Sequence, residues 1–155
     1  MLHVALCHSV LLEKKKNGET KMSSASPDEE ALVKGAQQQG FRFEGMDRER
    51  VISVWRTRDG EELRYKLLNT LEFNSTRKRM SVVLRDMQTN QLVFLCKGAD
   101  SIIKERLDLD DGRNAAFMDY TQVNVDQFAN EGLRTLLLAG KSLEEDYYND
   151  WDKRF

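Results

Sequence analysis

Four short stretches of this chain carry residues that could do chemistry together. They are "SPDE" at residues 26–29, "LEFNSTRKRMSVV" at 71–83, "KGAD" at 97–100 and "EGLRT" at 131–135. The second sets an aromatic ring, Phe73, four residues ahead of three consecutive bases, Arg77, Lys78 and Arg79. A ring beside cations suits a ligand with a flat aromatic end and an anionic end. A base would stack on the phenyl group, worth about 1 to 3 kcal/mol, and phosphates would meet Lys78, Lys97 and Arg134 through charge-assisted hydrogen bonds. Gly98, next to Lys97, would let the backbone come close to that ligand. Each residue also has a structural reading. Phe73 could be core, Lys97 a lysine whose stem lies on apolar surface, Arg134 an ion-pair partner, and Glu29 the last member of a Ser-x-x-Glu capping box begun by Ser26. Spacing alone favours the structural readings.

Other chemistries find little support. The sequence has no GxxxxGK[ST], GxSxG, GxGxxG or HExxH pattern. "DLDDGRN" resembles a calcium loop only loosely, because its glycine and a final glutamate are out of place. Cys7 and Cys96 sit in apolar runs with no second ligand at metal spacing, as expected of buried reduced thiols. His3 and His8 are five apart, off the one-face spacing of a metal pair. The formal net charge of -2 argues against a general nucleic-acid binder, so the basic triplet is a local feature.

These residues need elements to hold them. A chain of 155 residues, 40% hydrophobic and 32% charged, is long enough to bury one substantial core. "LHVALCHSVLL" predicts a buried helix, and "EKKKNGETKMSSAS" a mobile polar loop. "SPDEEALVKGAQQQG" predicts a helix with Pro27 at its first position and Gly40 closing it. "FRFEG", "RVISVWRT", "ELRYKLLNTLEF", "RMSVVLRD" and "QLVFLCKG" alternate as strands joined by short links such as Asp59-Gly60, so neighbours should run antiparallel. Asp100 is a candidate cap for a helix over "SIIKERL". A further helix ends at Gly132, "LRTLLLAGKSL" reads as a strand, and "EEDYYNDWDKRF" as a helical start. The expected fold is α+β, a mostly antiparallel sheet with helices packed on it. No apolar stretch approaches the roughly 18 residues that would span a bilayer, so a soluble chain on the cytoplasmic side is expected.

"CHSV", "SPDEEALV", "LEFNSTRKRMSVV", "CKGADSIIKERL" and "EGLRTLLLA" follow the order and approximate spacing of the nucleotide-binding domain of P-type ATPases. They look most like the type IV branch, the phospholipid flippases. "KGA" and "GLR" are shared with cation pumps, whereas "SPDE" with "RKRMSVV" points to the flippase branch. The resemblance covers nearly the whole chain. It implies one nucleotide-binding domain over residues 1–155, a fragment of a larger membrane ATPase. ATP, as Mg-ATP in the parent enzyme, would bind here and be presented to a phosphorylation domain. Actuator and transmembrane domains would be further partners, and phospholipid would be engaged only through the parent.

Matched position by position, the resemblance makes Phe73 the adenine-stacking ring, and Lys78 and Lys97 the lysines of the pocket. Arg134 becomes the arginine near the phosphates and Glu29 the acidic residue on the adenine side, with Asp28 as a possible substitute. Glu72, Asn74, Arg79, Ser81 and Asp100 would be neighbours. Ser75 stands where cation pumps often carry an arginine. No metal ligand and no catalytic residue is implied in this chain, which lacks the DKTG setting of the phosphorylated aspartate. Binding of ATP without turnover is therefore expected, and truncating Lys97 or Arg134, both placed at strand ends, should spare the fold. The competing readings are a cation-pump nucleotide domain and a non-enzymatic anion-binding or interaction module.

Overall fold

A computed structural model describes residues 1–14, 20–110 and 112–155. The first element is shorter than its apolar run suggests. Helix α1 covers Leu2–Leu6, and the backbone N–H of Cys7 closes it on the His3 carbonyl at 2.9 Å. His8 then turns the chain, its Nε2 bonding the Ala5 carbonyl and its Nδ1 accepting from the Val10 N–H, both at 3.0 Å. The expected helix over residues 2–12 is thus corrected to one and a half turns followed by strand β1, Leu11–Lys14. It pairs antiparallel with β2, Thr20–Ser23, as a separate two-stranded sheet. The polar stretch expected as a loop therefore holds strand residues at both ends, and its middle, residues 15–19, lies outside the described residues.

Helix α2, Pro27–Gln38, starts where the proline predicts. The capping box does not form: Ser26 makes no side-chain cap bond, and its carbonyl accepts from Glu29 N–H at 3.1 Å while the Glu29 carboxylate turns elsewhere. Then come β3 (Phe41–Met46), β4 (Val51–Arg56), β5 (Glu61–Leu71), β6 (Arg79–Asp86) and β7 (Leu92–Gly98). Helix α3, Asp100–Lys104, has Ala99 rather than Asp100 in the cap position. Helix α4 spans Gly112–Asn130 and so takes in the last three residues of the "DLDDGRN" segment, whose Asp111 lies outside the described residues. Strand β8 covers Leu137–Leu143, four residues later than the apolar run begins, and helix α5 covers Glu145–Asp152.

Strands β3 to β8 form one sheet in sequence order, every neighbouring pair antiparallel. That is the α+β architecture expected, with the small β1–β2 sheet added. One face carries Phe43, Ile52, Val54, Leu63, Met80, Val82, Leu84 and Leu95 and is covered by α1 and α2 through Val4, Leu6, Val33 and Ala36. Leu67 lies on this face and Leu68 on the other, and the register shift between Leu67 and Asn69 then pairs Asn69 with Val83. There Val83, Leu92, Phe94 and Leu143 pack against Tyr148 and Trp151 of α5. Two bonds from Arg85 to Glu145, at 2.8 and 2.9 Å, and the Tyr148 hydroxyl to Asn69 at 2.7 Å fix that helix.

Candidate functional site

Residues 72–78 link β5 to β6, and this loop is held by its own polar groups. Asn74 Oδ1 accepts from the Arg77 N–H at 2.7 Å, and its carbonyl accepts from the Lys78 N–H at 2.8 Å. Two of the three consecutive bases serve the loop itself: Arg77 donates to the Glu72 carbonyl at 2.7 Å and Arg79 to the Arg77 carbonyl at 3.1 Å. Of these three bases Lys78 alone has no side-chain bond among the described residues, and it adopts a positive φ of 50°. Such a conformation is uncommon for a residue with a side chain. Phe73 stands 62% exposed at the start of the loop. A core role for the ring is thereby excluded. Ser75 is exposed in the turn.

Gly98 is needed for a different reason from the one its neighbours suggested. It pairs with Arg79, and a Cβ there would lie 2.6 Å from both the Lys78 carbonyl and the Arg79 Cβ. The space it leaves is filled by the start of β6 rather than open to a ligand. The Ala99 N–H also bonds the Lys78 carbonyl at 3.1 Å, so the "KGA" and "RKR" segments are locked to each other.

Lys97 sits opposite Met80 on the face that carries the main core, and only 6% of it is exposed. Its ammonium bonds Glu29 Oε1 at 2.7 Å. The other oxygen, Oε2, accepts from the Ser9 N–H at 3.1 Å, from the Ser9 hydroxyl, and from the Ser24 hydroxyl at 3.4 Å. Burial opposes the charge on Glu29 and is the largest single influence on it; Lys97 and Ser9 together outweigh it and hold the carboxyl below its ordinary pKa. Glu29 is therefore a carboxylate at neutral pH, able only to accept. The residue before it, Asp28, bonds Arg134 at 2.8 Å, a pair in which the arginine is 85% exposed. Arg134 lies in the segment before β8 rather than opening a strand.

The N-terminus of α2 thus gathers Lys97 and Arg134 from distant parts of the chain. Lys97 is not the loosely held cation that the sequence suggested, while Arg134 is loosely held but not at a strand end. Beside this cluster runs a groove of about 1020 Å³ lined by Ser9, Thr70 and Glu72 among others. Ser9 and Ser24 were not among the expected site residues. Placing Ser9 inside a helix hid it, since its role depends on the chain leaving α1 at Leu6. Both cysteines are free and buried, as expected, with the Cys7 thiol pushed up to about 12 by burial. Among the described residues no helix is long and apolar enough to cross a membrane.

The six-stranded antiparallel sheet with helices packed on it is an α+β domain, and the family model for the P-type ATPase cytoplasmic domain N matches residues 1–154. The chain belongs to that family. It is 42% identical over 149 residues to the yeast (Saccharomyces cerevisiae) phospholipid-transporting ATPase DRS2, and 40% identical over 151 residues to the human phospholipid-transporting ATPase ID. These alignments take in 96% and 97% of this chain and 11% and 12% of the relatives. The chain spans about a tenth of the length of the proteins it matches. The expected likeness to the phospholipid-transporting branch is borne out.

Proposed function

We propose that this chain is the ATP-binding module of a phospholipid-transporting P-type ATPase. In this reading it presents the γ-phosphate to a phosphorylation domain outside this sequence, and the whole protein, with its actuator and transmembrane domains, moves a phospholipid at the cytoplasmic face of a membrane. The observation that carries the reading is an exposed phenyl ring, Phe73, on a loop fixed by its own polar groups, with an unpartnered lysine five residues on. The adenine would stack on Phe73. Glu29 and Lys97 would meet its polar edge, and Lys78 and Arg134 the phosphates. The pairing of Arg134 with Asp28 is exposed and therefore weak, so a triphosphate can take the arginine over.

These residues fit the nucleotide in chemistry: a flat apolar face, an acceptor and donor pair, and cations with freedom to turn. Among the described residues no three His, Cys, Asp or Glu side chains gather to hold a metal ion. Magnesium would reach the site on the triphosphate, where it would neutralise phosphate charge. Titration with a fluorescent ATP analogue, displaced by ATP, tests the proposal. Saturable binding is expected with and without magnesium, weakened about tenfold or more in Phe73→Ala, as loss of a stacking contact implies. Because the ring is largely exposed, the variant should melt like the parent. Absence of binding at millimolar ATP, or equal binding by Phe73→Ala, would overturn it.

A further inference from the structure

Resting on that nucleotide reading, we propose that Ser9 is a positioning residue that aims Glu29 at the base edge and so makes the site choose a 6-amino purine over a 6-oxo purine. A carboxylate offers about four lone-pair positions over its two oxygens. Oε2 is filled by three donors, the Ser9 N–H and hydroxyl and the Ser24 hydroxyl. Oε1 has one, the Lys97 ammonium. The open acceptor position is therefore on Oε1. An adenine edge brings an N6 amino donor to such an acceptor, whereas guanine brings the O6 carbonyl. Two facing acceptors repel and leave O6 and the open position on Oε1 unpaired, and sites built on buried hydrogen bonds discriminate strongly for this reason.

Ser9 decides where this acceptor points. It belongs to the α1–β1 connection, twenty residues from Glu29, and joins it by main chain and side chain together. It also lines the same groove as Glu72, the neighbour of Phe73. Ser9 thereby ties the carboxylate to a groove whose lining includes the residue next to the stacking ring. Ser9 is itself exposed, so removing its hydroxyl opens no core cavity. In Ser9→Ala the main-chain donor stays and the hydroxyl is lost, which frees Glu29 to rotate about the Lys97 contact.

ATP and GTP dissociation constants measured on the parent chain, Ser9→Ala, Ser9→Thr and Ser24→Ala test this. The parent should prefer ATP. Ser9→Ala should bind ATP about tenfold more weakly, the size expected for one hydrogen bond to a charged group, with GTP changed much less. Ser9→Thr, which keeps the hydroxyl, should restore the preference. Ser24→Ala, removing the longer contact, should have a smaller effect. A Ser9→Ala variant that keeps the ATP preference, or loses ATP and GTP in equal proportion, overturns the positioning role while leaving the nucleotide reading standing. So does failure of Ser9→Thr to rescue. A parent chain that binds neither nucleotide overturns both.

Discussion

Lys97 and Arg134 carry the same charge and reach the same helix terminus, yet their surroundings give them opposite consequences for stability. Lys97 is buried against the core face and bonded to a largely buried carboxylate, whereas Arg134 lies out in solvent. Removing one member of a buried pair leaves the other charge uncompensated, at a cost of about 3 kcal/mol. An exposed pair contributes between about 0 and 1 kcal/mol. Urea unfolding of Lys97→Ala should therefore show a clear loss of stability, and Arg134→Ala a midpoint close to the parent. Equal midpoints for the two variants would refute the burial of the Glu29–Lys97 pair. ATP affinity should fall in both, so affinity has to be read below the unfolding transition. The residue types of this site were legible in the sequence, since "SPDE", "KGAD" and "GLRT" were singled out there. Their pairing was not. Glu29 and Lys97 are 68 positions apart, and no local pattern specifies which carboxylate an ammonium will meet.

Elements were easier to read than contacts, because alternation reports a strand directly. The run "RVISVWRT" sets Ile52 and Val54 on the core face, "RMSVVLRD" buries Met80 through Leu84 in succession because both faces of the sheet are covered there, and the Asp59-Gly60 turn ties β4 to β5. The N-terminal run failed for a physical reason. "LHVALCHSVLL" is apolar throughout and has no period to separate helix from strand. His8, by bonding Ala5 and Val10, ends the helix in a way that no composition reveals. Gly98 illustrates a related limit: its need for space was visible, but the occupant of that space, β6 rather than ligand, was not. Gly98→Ala should force the β6 and β7 ends apart, with a penalty of about 1 to 3 kcal/mol as for other overpacked positions. Amide hydrogen exchange should locate the damage at Ala99, whose N–H bonds the Lys78 carbonyl. Uniform protection in that variant would mean the strands do not approach as closely as described.

At the scale of the whole molecule, the first turn of the chain couples folding to pH. His3 and His8 are both partly buried near Lys97, and burial, reinforced by that ammonium, lowers each from 6.5 to about 4. His8 is built into the fold as a neutral ring: Nε2 bonds the Ala5 carbonyl, so Nδ1 must keep a lone pair for Val10 N–H. His3 Nε2 is buried with no partner, so a proton there would bring a charge with nothing to stabilise it. The unfolded chain takes up protons below about 6.5 that the folded chain refuses until about 4. Stability is accordingly full above that window and falls as the pH drops through it. The limiting slope is about 1.4 kcal/mol per pH unit for each histidine. Glu29, held below its ordinary value, adds loss in the same direction at the acid end. Denaturant unfolding at half-unit steps from pH 7 to 4 should trace this decline, and His3→Leu should reduce its slope by about half, one proton in two. A stability that stays level between pH 6.5 and 5, or a His3→Leu profile parallel to the parent's, would show that these rings are not buried in neutral form.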